Sequence, residues 1–217
     1  MRAALVLLVG CGFSGHGESP TAQPPDTDAP PSAVDAAPDA PMVVHDASID
    51  ASIDAPAQID LVLPVNGGTL SGSPGAYCPT TDPVCQNGNW IASNVADGAL
   101  AAGEGFVAAP DAWCSAYNPN DTPLTFTYTF ALARIERIAI QNFGEGSGNY
   151  YSTHFRIEVA RGAGAYQTIA ESDLAHDETL QNIPIAGPVM ADHVRLVLTS
   201  GSREWWELSE FEVWGTR

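Results

Sequence analysis

The chain has 217 residues and a formal net charge of −18, with a pI near 4.2. Charge of that sign excludes a nucleic-acid partner, because binding phosphates requires a basic footprint. The length accommodates one domain of ordinary size plus an unstructured segment, and the acidity suits an extracytoplasmic life near divalent cations without naming a partner. All eight basic residues are arginine.

Met1-Arg2 is followed by an apolar run, Ala3 to Val9, and then Gly10 and Cys11. A positive start, a short apolar core and small residues at the cut site predict a secretory signal over residues 1–10, too short to span a bilayer. Leu8-Val9-Gly10-Cys11 resembles the bacterial lipobox. That resemblance implies lipidation of Cys11, membrane attachment through this lipid alone, and a place in the bacterial cell envelope. Gly12 rather than Asp at the next position points to the outer membrane.

Residues 11–60 form the expected linker. Between Gly12 and Asp60 stand nine acidic side chains (Glu18, Asp26, Asp28, Asp35, Asp39, Asp46, Asp50, Asp54 and Asp60), eight prolines and no arginine. Such a segment buries too little apolar surface to offset its ordering entropy and is expected to be disordered. A flexible chain of that length spans roughly 35–40 Å end to end. The near-repeat Asp46-Ala-Ser-Ile-Asp50-Ala-Ser-Ile-Asp54 has no glycine-punctuated loop to converge its carboxylates on a cation.

From Leu61 to Arg217 the apolar period becomes two. Phe126, Tyr128 and Phe130 alternate with threonines; Ile138 and Ile140 follow, then Phe155, Ile157 and Val159. Tyr166 to Ala170, Gln181 to Ile185, Val194 to Leu198 and Phe211 to Val213 continue the series, separated by turn signals at Arg161-Gly162-Ala163-Gly164, Ala186-Gly187-Pro188 and Ser200-Gly201-Ser202. No window shows a helical stripe, so residues 61–217 read as one all-β antiparallel domain.

The order of these pieces is informative. A loop with Asn94-Val95-Ala96-Asp97-Gly98 precedes an aromatic strand and then Arg134-Ile135-Glu136-Arg137-Ile138. Phe155-Arg156-Ile157-Glu158-Val159, Val194-Arg195-Leu196 and Leu208-Ser209-Glu210-Phe211-Glu212-Val213-Trp214-Gly215 follow. The set resembles the discoidin family, also called the F5/8 type C domain, whose bacterial members include galactose-binding carbohydrate modules. It implies a jelly-roll β-sandwich of about eight strands with binding loops at one end. It also implies a structural Ca²⁺ held by Asp97 and Glu210, hard oxygen ligands of the kind that ion prefers. The family's second acidic residue is replaced by Ala99 here, and Glu104 is the available substitute.

Sugar recognition needs an aromatic face for the pyranose C–H patch and planar polar groups for hydroxyl pairs. Arg203, Trp205 and Trp206 before the last strand, and Asn149, Tyr150, Tyr151 and His154 after a Gly-rich loop, are the candidates. One tryptophan of the adjacent pair is expected to plug the sandwich, leaving Trp205 exposed. Gly144-Glu145-Gly146-Ser147-Gly148 is no nucleotide fingerprint, because a strand rather than a helix follows it. His176-Asp177-Glu178 reads as a solvated turn.

Cys78, Cys85 and Cys114 permit three pairings in an oxidising compartment. Cys78–Cys85 is preferred, as it closes a short loop worth roughly 2–3 kcal/mol, while Cys114 could capture either partner.

The function that follows is a non-catalytic, surface-tethered lipoprotein, monomeric, that binds carbohydrate through its loops. The alternative is a structural or adhesive lipoprotein with a protein or envelope partner. A hydrolase would have to work through His154 or His176.

Overall fold

A computed structural model of the chain describes residues 56–77, 88–101, 110–144 and 149–217. The signal, Cys11, most of the linker, the preferred Cys78–Cys85 pair and Glu104 lie outside the described residues. Among the described residues nine strands follow in chain order: β1 (Ile59–Asp60), β2 (Thr69–Gly72), β3 (Trp113–Cys114), β4 (Leu124–Asn142), β5 (Ser152–Ala160), β6 (Gln167–Asp173), β7 (Leu180–Ile183), β8 (Val189–Gly201) and β9 (Glu207–Thr216). Among the described residues the helical pieces are two 3₁₀ turns, Pro64–Asn66 and Ala92–Ala96.

The strands are antiparallel and hydrogen-bonded in the order β1-β9-β4-β8-β5-β6, with β2 and β7 also on β4 and β3 on β9. The 19-residue β4 is what folds this ladder over into a jelly-roll sandwich. Its first half, from Leu124 to Thr129, pairs with β2 and β8; after a register shift between Thr129 and Ala133 it pairs with β8 again as far as Ile135, and from Arg134 onward with β9 and then β7. A shift of this kind bends a strand and sharpens its twist, so one strand serves both faces.

Alternation then fills the space between the faces. Phe126 lies opposite Leu196 and Tyr128 opposite Val194 on one side, while Ile138 meets Val213 and Ile140 meets Phe211 on the other. All eight are buried. Trp113 packs edge-on against Phe126, with ring centroids 4.8 Å apart at 81°, an arrangement worth about 0.5–1.5 kcal/mol beyond area burial.

The N-terminal boundary differs from the sequence expectation. Ile59 and Asp60, expected to close the linker, form β1 against Gly215 and Trp214. Asp60 is 2 % exposed, and its Oδ1 accepts the backbone N–H groups of Val62 at 3.2 Å and Val213 at 3.0 Å. An acidic residue followed by Leu61-Val62 looks solvated in sequence; one local backbone donor and one from the far end of the chain make it structural. Burial, ahead of the opposing hydrogen bonds and the nearby Glu212, pushes its carboxyl up to about 6.

Candidate functional site

The two ends of the sandwich are distinguished by register. Ser152 pairs with Gly201, Asn142 with Leu208 and Trp113 with Leu208, so residues 111–122, 143–144, 149–151 and 201–206 share one end. β1 joins β9 at Trp214–Gly215, the other end, about 25 Å away at the rise of a β-strand. Ile59 and Asp60 therefore lie at the end opposite the loops.

Two buried amides shape that end. Gln141 Nε2 donates to the Ala101 carbonyl at 3.0 Å and to Glu178 O at 2.7 Å. Asn142 Nδ2 donates to Ser152 O at 2.7 Å and Ala175 O at 2.9 Å, and its Oδ1 accepts from Phe143 N and Ser152 N. Loops otherwise short of backbone partners are thus pinned by the last two residues of β4. Beneath them sits a small second core of Trp90, Ala101, Ala112, Cys114 and Phe143, against which Trp205 packs. Among the described residues the non-glycine positions with left-handed φ are Trp90 (60°), Asp121 (50°) and Asn149 (56°). All three belong to this end, where stored backbone strain is commonly found in functional sites.

The adjacent tryptophans have opposite fates. Trp206 is fully buried, its N–H and C=O are both paired with Ser115, and its Nε1 donates to Arg203 O at 2.9 Å. It presents no face to a ligand and is removed from the candidate contacts. Gly201 is what admits it: a Cβ there would lie 2.2 Å from the Trp206 ring. Trp205 is half-buried and forms the centre of an aromatic cluster. Tyr117 meets it edge-on at 5.2 Å and Tyr150 at 5.9 Å. The Arg203 guanidinium lies 5.7 Å over the Tyr150 ring.

Tyr117 had no signal in the sequence, yet it is 62 % exposed and lines a cleft of about 360 Å³. Asn118, Asp121, Arg203 and Glu204 also line this cleft. The cleft is held open by its own loop. Asn118 donates to Thr122 O and accepts from Thr122 N, and its backbone N–H reaches Glu204 O at 2.6 Å.

Tyr150 and Tyr151 point to opposite sides of the chain. Tyr151 lies over Gly144, where a Cβ would come within 2.3 Å of the ring, and stacks on the exposed His176 at 5.4 Å and 4°. The turn at His176-Asp177-Glu178 is therefore solvated on one side and covers Tyr151 on the other. Burial, then Glu178, Asp177 and Glu207, raise the Tyr151 hydroxyl above its ordinary value. His154 is half-buried, with Nδ1 2.6 Å from Thr199 Oγ1 in the ladder between β5 and β8. Asn149 is exposed at the loop tip, and its carbonyl accepts from Ser202 Oγ.

The cation candidates Asp97 and Glu210 lie near this end. Glu210 is fully buried; its Oε2 accepts the Gly98 N–H at 3.3 Å, and its Oε1 has no hydrogen-bond partner among the described residues. Burial, then Asp97 and Asp60, push its carboxyl up to about 10. Asp97 sits at the surface end of the loop, Oδ1 accepting from Ala99 N at 2.9 Å, and burial also raises its carboxyl. The buried Tyr128 hydroxyl is likewise unpartnered, and its ionisation is suppressed first by burial and then by Glu210. A buried carboxylate oxygen without a donor, next to a second carboxylate, is what a hard divalent cation would resolve. Among the described residues no three His, Cys, Asp or Glu side chains converge, so such an ion would need backbone carbonyls to complete its shell.

The F5/8 type C domain model matches residues 79–211, more than half of the chain. The chain belongs to this family. Three solved structures share the F5/8 type C fold with it. The family 32 CBM from C. perfringens NanJ, in complex with galactose, is 18 % identical with a TM-score of 0.51, covering 72 % of this chain and 99 % of that one. A CBM32 from Clostridium perfringens in complex with GalNAc-β-1,3-galactose is 19 % identical with a TM-score of 0.50, covering 67 % and 92 %. The C-terminal domain of a chitobiase from Bacteroides fragilis is 15 % identical with a TM-score of 0.54, covering 69 % and 93 %. No curated protein matches the chain.

Proposed function

We propose that this F5/8 type C domain binds carbohydrate without catalysing a reaction, and that its linker presents it from a lipid-anchored N-terminus. The observation that carries the reading is the Tyr117–Trp205–Tyr150 cluster, whose Tyr117 also lines the 360 Å³ cleft together with Arg203. Exposed ring edges and faces give the apolar contact that sugar C–H groups need, and a guanidinium offers planar donors for paired hydroxyls. The sugars bound by the two clostridial structures support the same ligand class. A glycan array probed with the full chain tests the reading; hits that vanish in Trp205→Ala support it, and an empty array removes it.

Two further parts belong to this proposal. Asp97 and Glu210, with backbone carbonyls, hold a Ca²⁺ that would fix the 97–101 loop against β9. Cys11 carries the lipid that retains the protein in the bacterial envelope, at the outer membrane. Cell fractionation of Cys11→Ser reads the second: the variant should leave the membrane fraction, and retention there would contradict the anchor.

A further inference from the structure

The charges around the cleft are unbalanced. Asp121 and Glu204 line it together with Arg203, and among the described residues neither carboxylate is in an ion pair. Across the end, Asp177, Glu178 and Glu207 add further negative charge, and after burial they are the groups that raise the Tyr151 hydroxyl. Arg203 is the one arginine at this end among the described residues. The others are held elsewhere. Arg134, Arg137, Arg156 and Arg195 are spent on Glu136, Glu212 and Glu158 along the sheet faces. Arg195 and Arg137 also cover the Tyr166 and Trp214 rings. Arg161 flanks the β5–β6 turn at the opposite end, and Arg217 bonds Asn66 O beside β1. Among the described residues Arg203 is therefore the single arginine placed to receive an anionic group at this end.

Resting on the carbohydrate reading above, we infer that this end of the sandwich selects its glycan by charge, preferring amino sugars to neutral ones and rejecting uronic or sulfated sugars. The aromatic cluster supplies a contact that any pyranose can make. The cleft beside it places two carboxylates where an ammonium is attracted and a carboxylate or sulfate is repelled. Two carboxylates against the single Arg203 guanidinium leave the cleft net negative, and an excess of one sign raises the local concentration of the opposite sign and disfavours the like one. Exposed ion pairs are individually weak, so two of them in a half-open cleft translate into a preference of roughly five- to tenfold rather than an absolute one.

The test titrates the full chain with hexosamine, N-acetylhexosamine and hexuronic acid, in both galacto and gluco configurations, at about pH 6, where the sugar amine is cationic and carboxylates are anionic. The expected order is amine over N-acetyl by about five- to tenfold, with the uronic acid weakest and the preference shrinking as salt is added. In Asp121→Asn/Glu204→Gln the ratio of amine to N-acetyl binding should fall towards one. Equal or tighter binding of the uronic acid, or an unchanged ratio in the double variant, would overturn the charge selection and leave carbohydrate binding standing. Binding of none of these sugars, together with an empty glycan array, would overturn both.

Discussion

The Gly98 amide donates to the Glu210 carboxylate at 3.3 Å across 112 positions of sequence, joining the Asp-Gly loop to the closing strand. It leaves the other Glu210 oxygen buried and unpartnered, with Asp97 adding repulsion. In chelator, Glu210 binds its proton more tightly folded than unfolded, so stability from this group is present below pH 4.5 and is lost as pH rises towards about 10. The slope is at most about 1.4 kcal/mol per pH unit. Thermal melts should show this fall, Ca²⁺ should reverse it, and Glu210→Gln should flatten both responses. A Ca²⁺-induced rise in Tm that persists in Glu210→Gln would place the ion elsewhere.

Asp60 ties the first strand to the last through two backbone donors on one oxygen. Asp60→Ala leaves both N–H groups buried without an acceptor and should cost about 2–4 kcal/mol in urea denaturation. Asp60→Asn keeps the oxygen and removes a desolvated charge, so it should cost less than about 1 kcal/mol at pH 7. The carboxyl is raised to about 6, so its contribution is full below pH 3.8 and declines through pH 6. Equal losses for the two substitutions would show that the acceptor role is misassigned.

The neighbouring tryptophans should separate cleanly. Trp206→Ala removes a fully buried ring and should destabilise the fold by about 3–5 kcal/mol. Trp205→Ala should cost far less stability and lose ligand affinity instead. Gly201→Ala should resemble Trp206→Ala, because its Cβ would collide with that ring. Denaturant midpoints for the three variants check the ranking.

Tyr117 stands mostly in solvent, so Tyr117→Ala should leave the unfolding midpoint within about 0.5 kcal/mol of the parent. Losing one aromatic wall should weaken glycan binding by roughly five- to tenfold. Affinity electrophoresis beside a denaturation curve measures both effects.

Much of the fold was legible because period-two alternation survives burial on one face: Phe126, Tyr128, Phe155, Ile157 and Phe211 read as core and are core. The corner of β4 was not, since a register shift depends on partner strands rather than on local residues. Asp60 was misread for the same reason; its donors include Val213, which lies far along the chain. The site was half visible. Trp205, Tyr150 and Arg203 stood out as aromatic or planar groups in loops, and they do meet. Tyr117 joins them through a loop whose position is set by the Asn118 amide and the Glu204 carbonyl, a contact no spacing rule encodes. Gln141 and Asn142 look like polar interruptions at the end of a strand, and their role emerges only when the loops they hold are in place.

Carbohydrate recognition by the Trp205 end is the centre of this account, and a glycan array run in parallel with the parent protein and Trp205→Ala tests it most directly. Discrete glycan hits are expected for the parent and should disappear in the variant while its fold is retained. An array without hits, or hits indifferent to the loss of Trp205, would contradict it.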